Sequence, residues 1–169
     1  MQLIIPPRWE AAVEAWAPCS QYFRDAGWDQ DDTYGLAMAA QELLENAVKY
    51  GVFGPEDVIT LNLESAGDTG TVEVISRVKA DSERFRKLDQ TIQWIRGFQN
   101  PFEAWVERLK DVSSRPLVAG ESGLGLTRIA YEGGCILDFY VSEDNLLAIS
   151  AVLHRPRRPK AHEPAQNHH

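Results

Sequence analysis

The chain has 169 residues, 44% of them apolar and 25% charged, the proportions of an ordinary globular protein. That length suits one compact domain with its own hydrophobic core, and it excludes a disordered chain, a collagen-like repeat or a small disulfide scaffold. No apolar run approaches the roughly 20 residues that cross a bilayer, and residues 1–7 lack the basic and apolar segments of a signal peptide, so a cytoplasmic protein is expected.

The net charge of −8 hides a division: residues 155–169 carry +3, from Arg155, Arg157, Arg158 and Lys160 against Glu163, and residues 1–154 carry −11. An acidic body argues against a nucleic-acid surface, whose footprint is basic. The terminal stretch is rich in Pro and His without apolar periodicity, so 154–169 reads as a basic disordered tail on a body of 1–153. All four His residues fall in the last sixteen positions, away from any motif. Cys19 and Cys135 have no metal-ligand or CxxC spacing and are expected to be reduced thiols.

In chain order, Trp9, Ala12, Val13, Trp16, Cys19 and Phe23 recur at helical spacing and predict a helix over 7–25, kinked or split by Pro18. A second helix is expected from the capping residues Asp31, Asp32 and Thr33 to a terminal Gly51, with an apolar stripe of Leu36, Ala40, Leu43, Leu44, Ala47 and Val48. Alternation predicts strands at 58–64 and 71–78, joined as a hairpin through Gly67 and Gly70. Residues 81–115 are charged and aromatic, helical in part, and broken near Gly97 and Pro101. A glycine-rich loop at 120–125, a helix over 126–132, and strands at 135–141 and 146–153 follow. This order predicts an α+β sandwich with helices on one face of a largely antiparallel sheet.

Two motifs carry chemistry. Glu42 and Asn46 lie four apart, one turn apart on one helix face, at the edge of the apolar stripe. Taken alone, such a pair is ordinarily the solvated border of a helix. Beside a pocket, a carboxylate and an amide oxygen can instead hold Mg²⁺, which takes hard oxygen ligands and keeps waters and phosphates in its shell. The second motif runs from Gly120 through Glu121, Ser122, Gly123, Leu124 and Gly125 to Leu126. Its glycines allow close backbone approach to a ligand, and a following helix offers free N–H groups to an anion; a plain flexible turn is the competing reading. No Gly-Lys-Ser/Thr follows, and no strand leads cleanly into the loop, so neither a P-loop nor a dinucleotide fingerprint fits.

In this order, with a hairpin between them, the motifs resemble the GHKL ATP-binding superfamily. Glu42-x-x-x-Asn46-Ala47 is similar to its N box and Gly123-Leu124-Gly125-Leu126 to its second glycine box, and the stretch from Glu45 to Gly51 is most similar to stand-alone bacterial anti-sigma-factor serine kinases of the RsbW and SiaB-like type. The resemblance implies a Bergerat-type sandwich without a phosphoacceptor helix, and 81–119 as the lid over the nucleotide. It also implies ATP and Mg²⁺ as cofactors and Asn46 as the metal ligand. Glu42 would be the base acting on a hydroxyl, Lys49 would lie at the nucleotide, and Gly120, Ser122, Gly123, Leu124, Gly125 and Leu126 would hold its phosphates. The implied partner is a regulatory protein, a STAS-type antagonist or a sigma factor, with a homodimer as a further expectation.

One departure bears on function. The family's Asp-x-Gly-x-Gly, whose Asp accepts from the adenine amino group, has no counterpart after the second hairpin strand: Arg77 sits about where the acid should be and Asp81 comes late. Arg cannot accept a hydrogen bond. Either another group reads the base, or nucleotide binding is weakened or lost. Two functions follow: a protein serine/threonine kinase, or a non-catalytic binding module on the same scaffold. Similarly, Phe85, Leu88, Ile92, Ile95 and Phe98 either pack an extra helix onto the body or present a docking surface.

Overall fold

The computed structural model describes residues 1–79, 82–114 and 124–155. Five strands, β1 (Gln2–Ile5), β2 (Ile59–Ala66), β3 (Thr69–Arg77), β4 (Ile136–Val141) and β5 (Leu146–His154), form one antiparallel sheet in the order β1-β2-β3-β5-β4. The helices are α1 (Trp9–Glu14), α2 (Trp16–Asp25), α3 (Gln30–Tyr50), α4 (Glu83–Arg96), α5 (Pro101–Ser113) and α6 (Gly125–Tyr131).

The sheet is two-sided by alternation. Ile59, Leu61 and Leu63 of β2, Val72, Val74 and Ser76 of β3, and Leu147, Ile149 and Ala151 of β5 are buried on the face that the helices cover. The opposite face is more polar: Gln2 donates to Asn62 and Asn62 to Glu73, each at 2.9 Å, in a ladder across three strands. The fold is therefore the expected α+β sandwich. Helix α3 is its central support, with Leu36, Leu43 and Leu44 wholly buried.

Local chemistry accounts for the element ends. Asp29 caps α3 by accepting from the Asp32 amide at 2.9 Å, two residues before the expected cap. Ser82 and Asn100 cap α4 and α5, and Pro101 opens α5 in the first turn, where its missing N–H costs nothing. The single expected helix over 7–25 is split at Ala15. Pro18 lacks the N–H that would reach the Glu14 carbonyl four residues back, so the break falls one turn before the proline. The β2–β3 turn centres on Gly67 and Asp68, with Gly67 at φ +62°, the first central position that a type II′ hairpin reserves for glycine.

Gly51 ends α3 for another reason than the expected left-handed cap. Its φ is −68°, and a Cβ there would collide with the Phe53 ring and the Ala47 carbonyl. Strand β1 has no counterpart in the expected element order; it is four residues long and, among the described residues, pairs with β2 alone. The described chain extends past the expected body. His154 closes β5, and the Arg155 guanidinium stacks 3.6 Å over the Trp28 ring and lies 3.4 Å from Asp32. The remaining tail, 156–169, lies outside the described residues. Among the described residues, no helix is long and apolar enough to cross a membrane.

Of the 81–115 segment, Leu88, Ile92 and Ile95 of α4 are buried in the core, and Phe85 packs edge-on to Phe139 of β4. The packed-helix reading holds for α4. Helix α5 carries a more open face, where Phe102 and Trp105 meet Tyr131 of α6.

Candidate functional site

The last two turns of α3 run along a cavity whose floor is the helix-covered face of β3 and β5. Leu43, Asn46, Ala47 and Tyr50 line it from α3, Val74, Ser76, Leu147 and Ile149 from the sheet, and Leu88 from α4. Helix α4 nearly closes it. About 10 Å³ remains open inside, room for about one water molecule.

Two polar groups face these apolar walls. Asn46 Nδ2 is buried without a hydrogen-bond partner. Ser76 is 3% exposed and stands on the cavity lining from the sheet side. Interior polar groups are normally satisfied, because an unmet one costs about 1–3 kcal/mol. Their presence on one cavity is what a site for a polar-edged ligand requires.

One turn before Asn46, Glu42 is held from across the fold. Arg128 Nη1 of α6 donates to Glu42 Oε1 at 2.8 Å, and the same guanidinium reaches Glu132 at 3.2 Å. Burial pushes the Glu42 carboxyl above the ordinary carboxylate value, and Arg128 partly offsets that rise. Glu42 Oε2 lies against Gly125, where a Cβ would collide with it. Gly125 is thus required for close approach to the carboxylate; it is not among the glycines with positive φ.

The other expected site residues are distributed unevenly. Leu124 precedes α6 and accepts from the Thr127 hydroxyl at 2.8 Å. Leu126 is a core residue and does not line the cavity. The Lys49 ammonium lies 5.0 Å over the Tyr50 ring, outside the cavity lining. Gly120, Ser122 and Gly123 lie outside the described residues. No cluster of three or more His, Cys, Asp or Glu residues suited to a metal occurs among the described residues.

The expectation for Arg77 needs correction. Arg77 is exposed at the end of β3 and pairs with Asp57 at 3.3 Å, facing away from the cavity. Ser76 holds the inward position. The signal was present in the alternation Val72, Val74, Ser76, Val78, which puts the serine on the core face. Arg128 gave no sequence signal, since its partner is 86 residues away.

No family model matches the chain, and no curated protein does. Among solved structures, a chain of the crystal structure of the SiaB–SiaC complex from Pseudomonas aeruginosa matches with a TM-score of 0.66. The sequence identity is 17%, over 90% of this chain and 88% of that one. The two share a fold. At this identity the likeness is one of architecture, an α+β sandwich.

Proposed function

We propose that the protein is a regulatory ATP-binding protein of the anti-sigma-factor-kinase type, which phosphorylates or sequesters a separate protein partner. The observation that carries this reading is the unpartnered, buried Asn46 amide on a cavity wall, one helical turn from a carboxylate. The fold likeness to a chain from a two-protein complex supports a protein as the partner. A STAS-type antagonist or a sigma factor suits the sequence resemblance.

ATP with Mg²⁺ would supply a transferable phosphoryl group. The side-chain oxygen of Asn46, Oδ1, is the protein ligand proposed for the cation, leaving Nδ2 to donate to the nucleotide, in keeping with the preference of Mg²⁺ for few protein oxygens beside phosphates and waters. The walls formed by Ala47, Tyr50, Val74 and Ile149 would exclude water from the base. The glycine-rich stretch that ends in Leu124 and Gly125 is proposed to pass beside the phosphates. Phosphoryl transfer needs mainly positioning and charge stabilisation, so few side chains are required. Glu42 would take the proton of a partner Ser or Thr hydroxyl on Oε2, while Arg128 keeps Oε1 in place. A carboxylate made more basic by burial suits that role.

A second reading has its own support: Leu88 packs over the cavity, and among the described residues its lining is almost wholly apolar. On that reading the scaffold binds its partner without nucleotide. Calorimetry with ATP and Mg²⁺ separates the two. Binding by the wild type that is lost in Asn46→Ala supports the first, and no heat at millimolar nucleotide rejects it.

A further inference from the structure

The geometry points to Ser76 as the residue that reads the nucleotide base, and to a site that accepts purines with either an amino or a keto group at position 6. This inference rests on the nucleotide-binding reading above and specifies the ligand class of that site.

Ser76 sits on the inward face of β3, 3% exposed, at the floor of the cavity. Its neighbours on the strand, Val74 and Val78, and the facing Ile149 of β5 offer only apolar surface. The other polar side chains on the lining, Asn46 and Tyr50, belong to α3 on the opposite wall. A planar base inserted between α3 and the sheet would therefore meet the serine hydroxyl as the polar group of the floor. Among the described residues, Ser76 is the polar side chain that the sheet contributes to the lining, beside Val74, Leu147 and Ile149.

The chemistry of a hydroxyl differs from that of a carboxylate. An ionised carboxylate only accepts, so it rewards an exocyclic amino group and repels a carbonyl oxygen. A serine hydroxyl rotates and either accepts or donates. It meets an adenine amino group as an acceptor and a keto oxygen as a donor. The Arg77 guanidinium, which could have imposed the opposite preference, is turned outward to Asp57. Among the described residues, nothing on the floor then penalises one purine edge against the other.

The test is fluorescence or calorimetric titration of the full chain with ATP and with ITP, which differ at the position-6 edge, each with Mg²⁺. The inference expects the two affinities to agree within about tenfold, and Ser76→Ala to weaken both by about three- to tenfold, the loss expected for one hydrogen bond. Ser76→Thr, which keeps the hydroxyl, should retain both; circular dichroism of each variant establishes that it is folded. A wild-type preference for ATP beyond tenfold, or unchanged binding in Ser76→Ala, overturns the assignment while leaving nucleotide binding intact. Failure of the wild type to bind either nucleotide at millimolar concentration overturns the nucleotide reading itself, and this inference with it.

Discussion

Arg128 Nη1 and Glu42 Oε1, 86 positions apart in the chain, meet at 2.8 Å and tie helix α6 to the functional face of α3. The side chains are 33% and 18% exposed, intermediate between a surface pair and a buried one. Surface pairs contribute about 0–1 kcal/mol, and breaking a buried one costs about 3–5 kcal/mol. The contact therefore both fixes one carboxylate oxygen and keeps a desolvated charge from standing alone.

Arg128→Met should lower stability by about 1–2 kcal/mol at neutral pH, between those limits. The sign with pH follows from Glu42, whose carboxyl is raised by burial in the folded state. A raised carboxyl means the folded protein binds more protons than the unfolded chain just above the ordinary carboxylate range, so this group's contribution falls as pH rises there. Removing Arg128 enlarges the effect, and the variant's deficit should shrink as Glu42 protonates. In a Glu42→Gln background Arg128→Met should cost less. Urea denaturation of the four proteins gives the coupling; additive costs would show that the pair contributes nothing.

Gly125→Ala should give opposite results in two backgrounds. In the wild type the new Cβ collides with Glu42 Oε2 and must displace a carboxylate that Arg128 holds. That strain opposes the gain of Ala over Gly, which is about 1 kcal/mol in a helix interior and smaller at this first position of α6. In Glu42→Ala the obstacle is gone, so the same substitution should stabilise. Equal effects in both backgrounds, measured by urea midpoints, would remove the close approach as the reason for glycine.

Much of this arrangement is legible in the sequence because it is local. Helical spacing with Asp and Ser caps marks α3 and α4, alternation marks β2 and β3, and Glu42 and Asn46 share a face by their four-residue interval. Strand β1 is not legible: it has four residues on a sheet edge, and Ile4 remains exposed, so no alternating core signal forms. Ser76 is legible as an inward residue from strand alternation, whereas the charge of Arg77 at the strand end says nothing of the side it faces. The Arg128–Glu42 contact exists only in three dimensions. No spacing rule reaches it.

The two thiols provide a pH test independent of the site. Burial pushes Cys19 and Cys135 each up to about 12, against about 8.5 for an exposed thiol. Between these values the unfolded chain has released protons that the folded protein keeps, so stability should decline as pH rises through that window. At pH 8 both thiols should resist a thiol reagent in the native protein and react promptly in denaturant, since the thiolate is the reacting form. Rapid labelling of either in native buffer would mean that its surroundings open readily.

Leu88 joins stability to access. It packs at 6% exposure and forms the α4 wall of the cavity that Asn46 and Ser76 share. Leu88→Ala removes buried methyl groups and leaves space behind, a change that costs about 2–5 kcal/mol in cores; the site's partial opening places it near the low end. The enlarged space adjoins Ser76 and the unmet Asn46 Nδ2, so water should enter and recover part of the cost. If α4 closes over a nucleotide site, the variant should bind ATP and Mg²⁺ at least as tightly as the wild type despite its lower stability. Titration at a temperature where both proteins are folded makes the comparison. A loss of more than about tenfold, some 1.4 kcal/mol, would instead make Leu88 a wall of the bound state, with α4 clamped on the ligand rather than standing in its way.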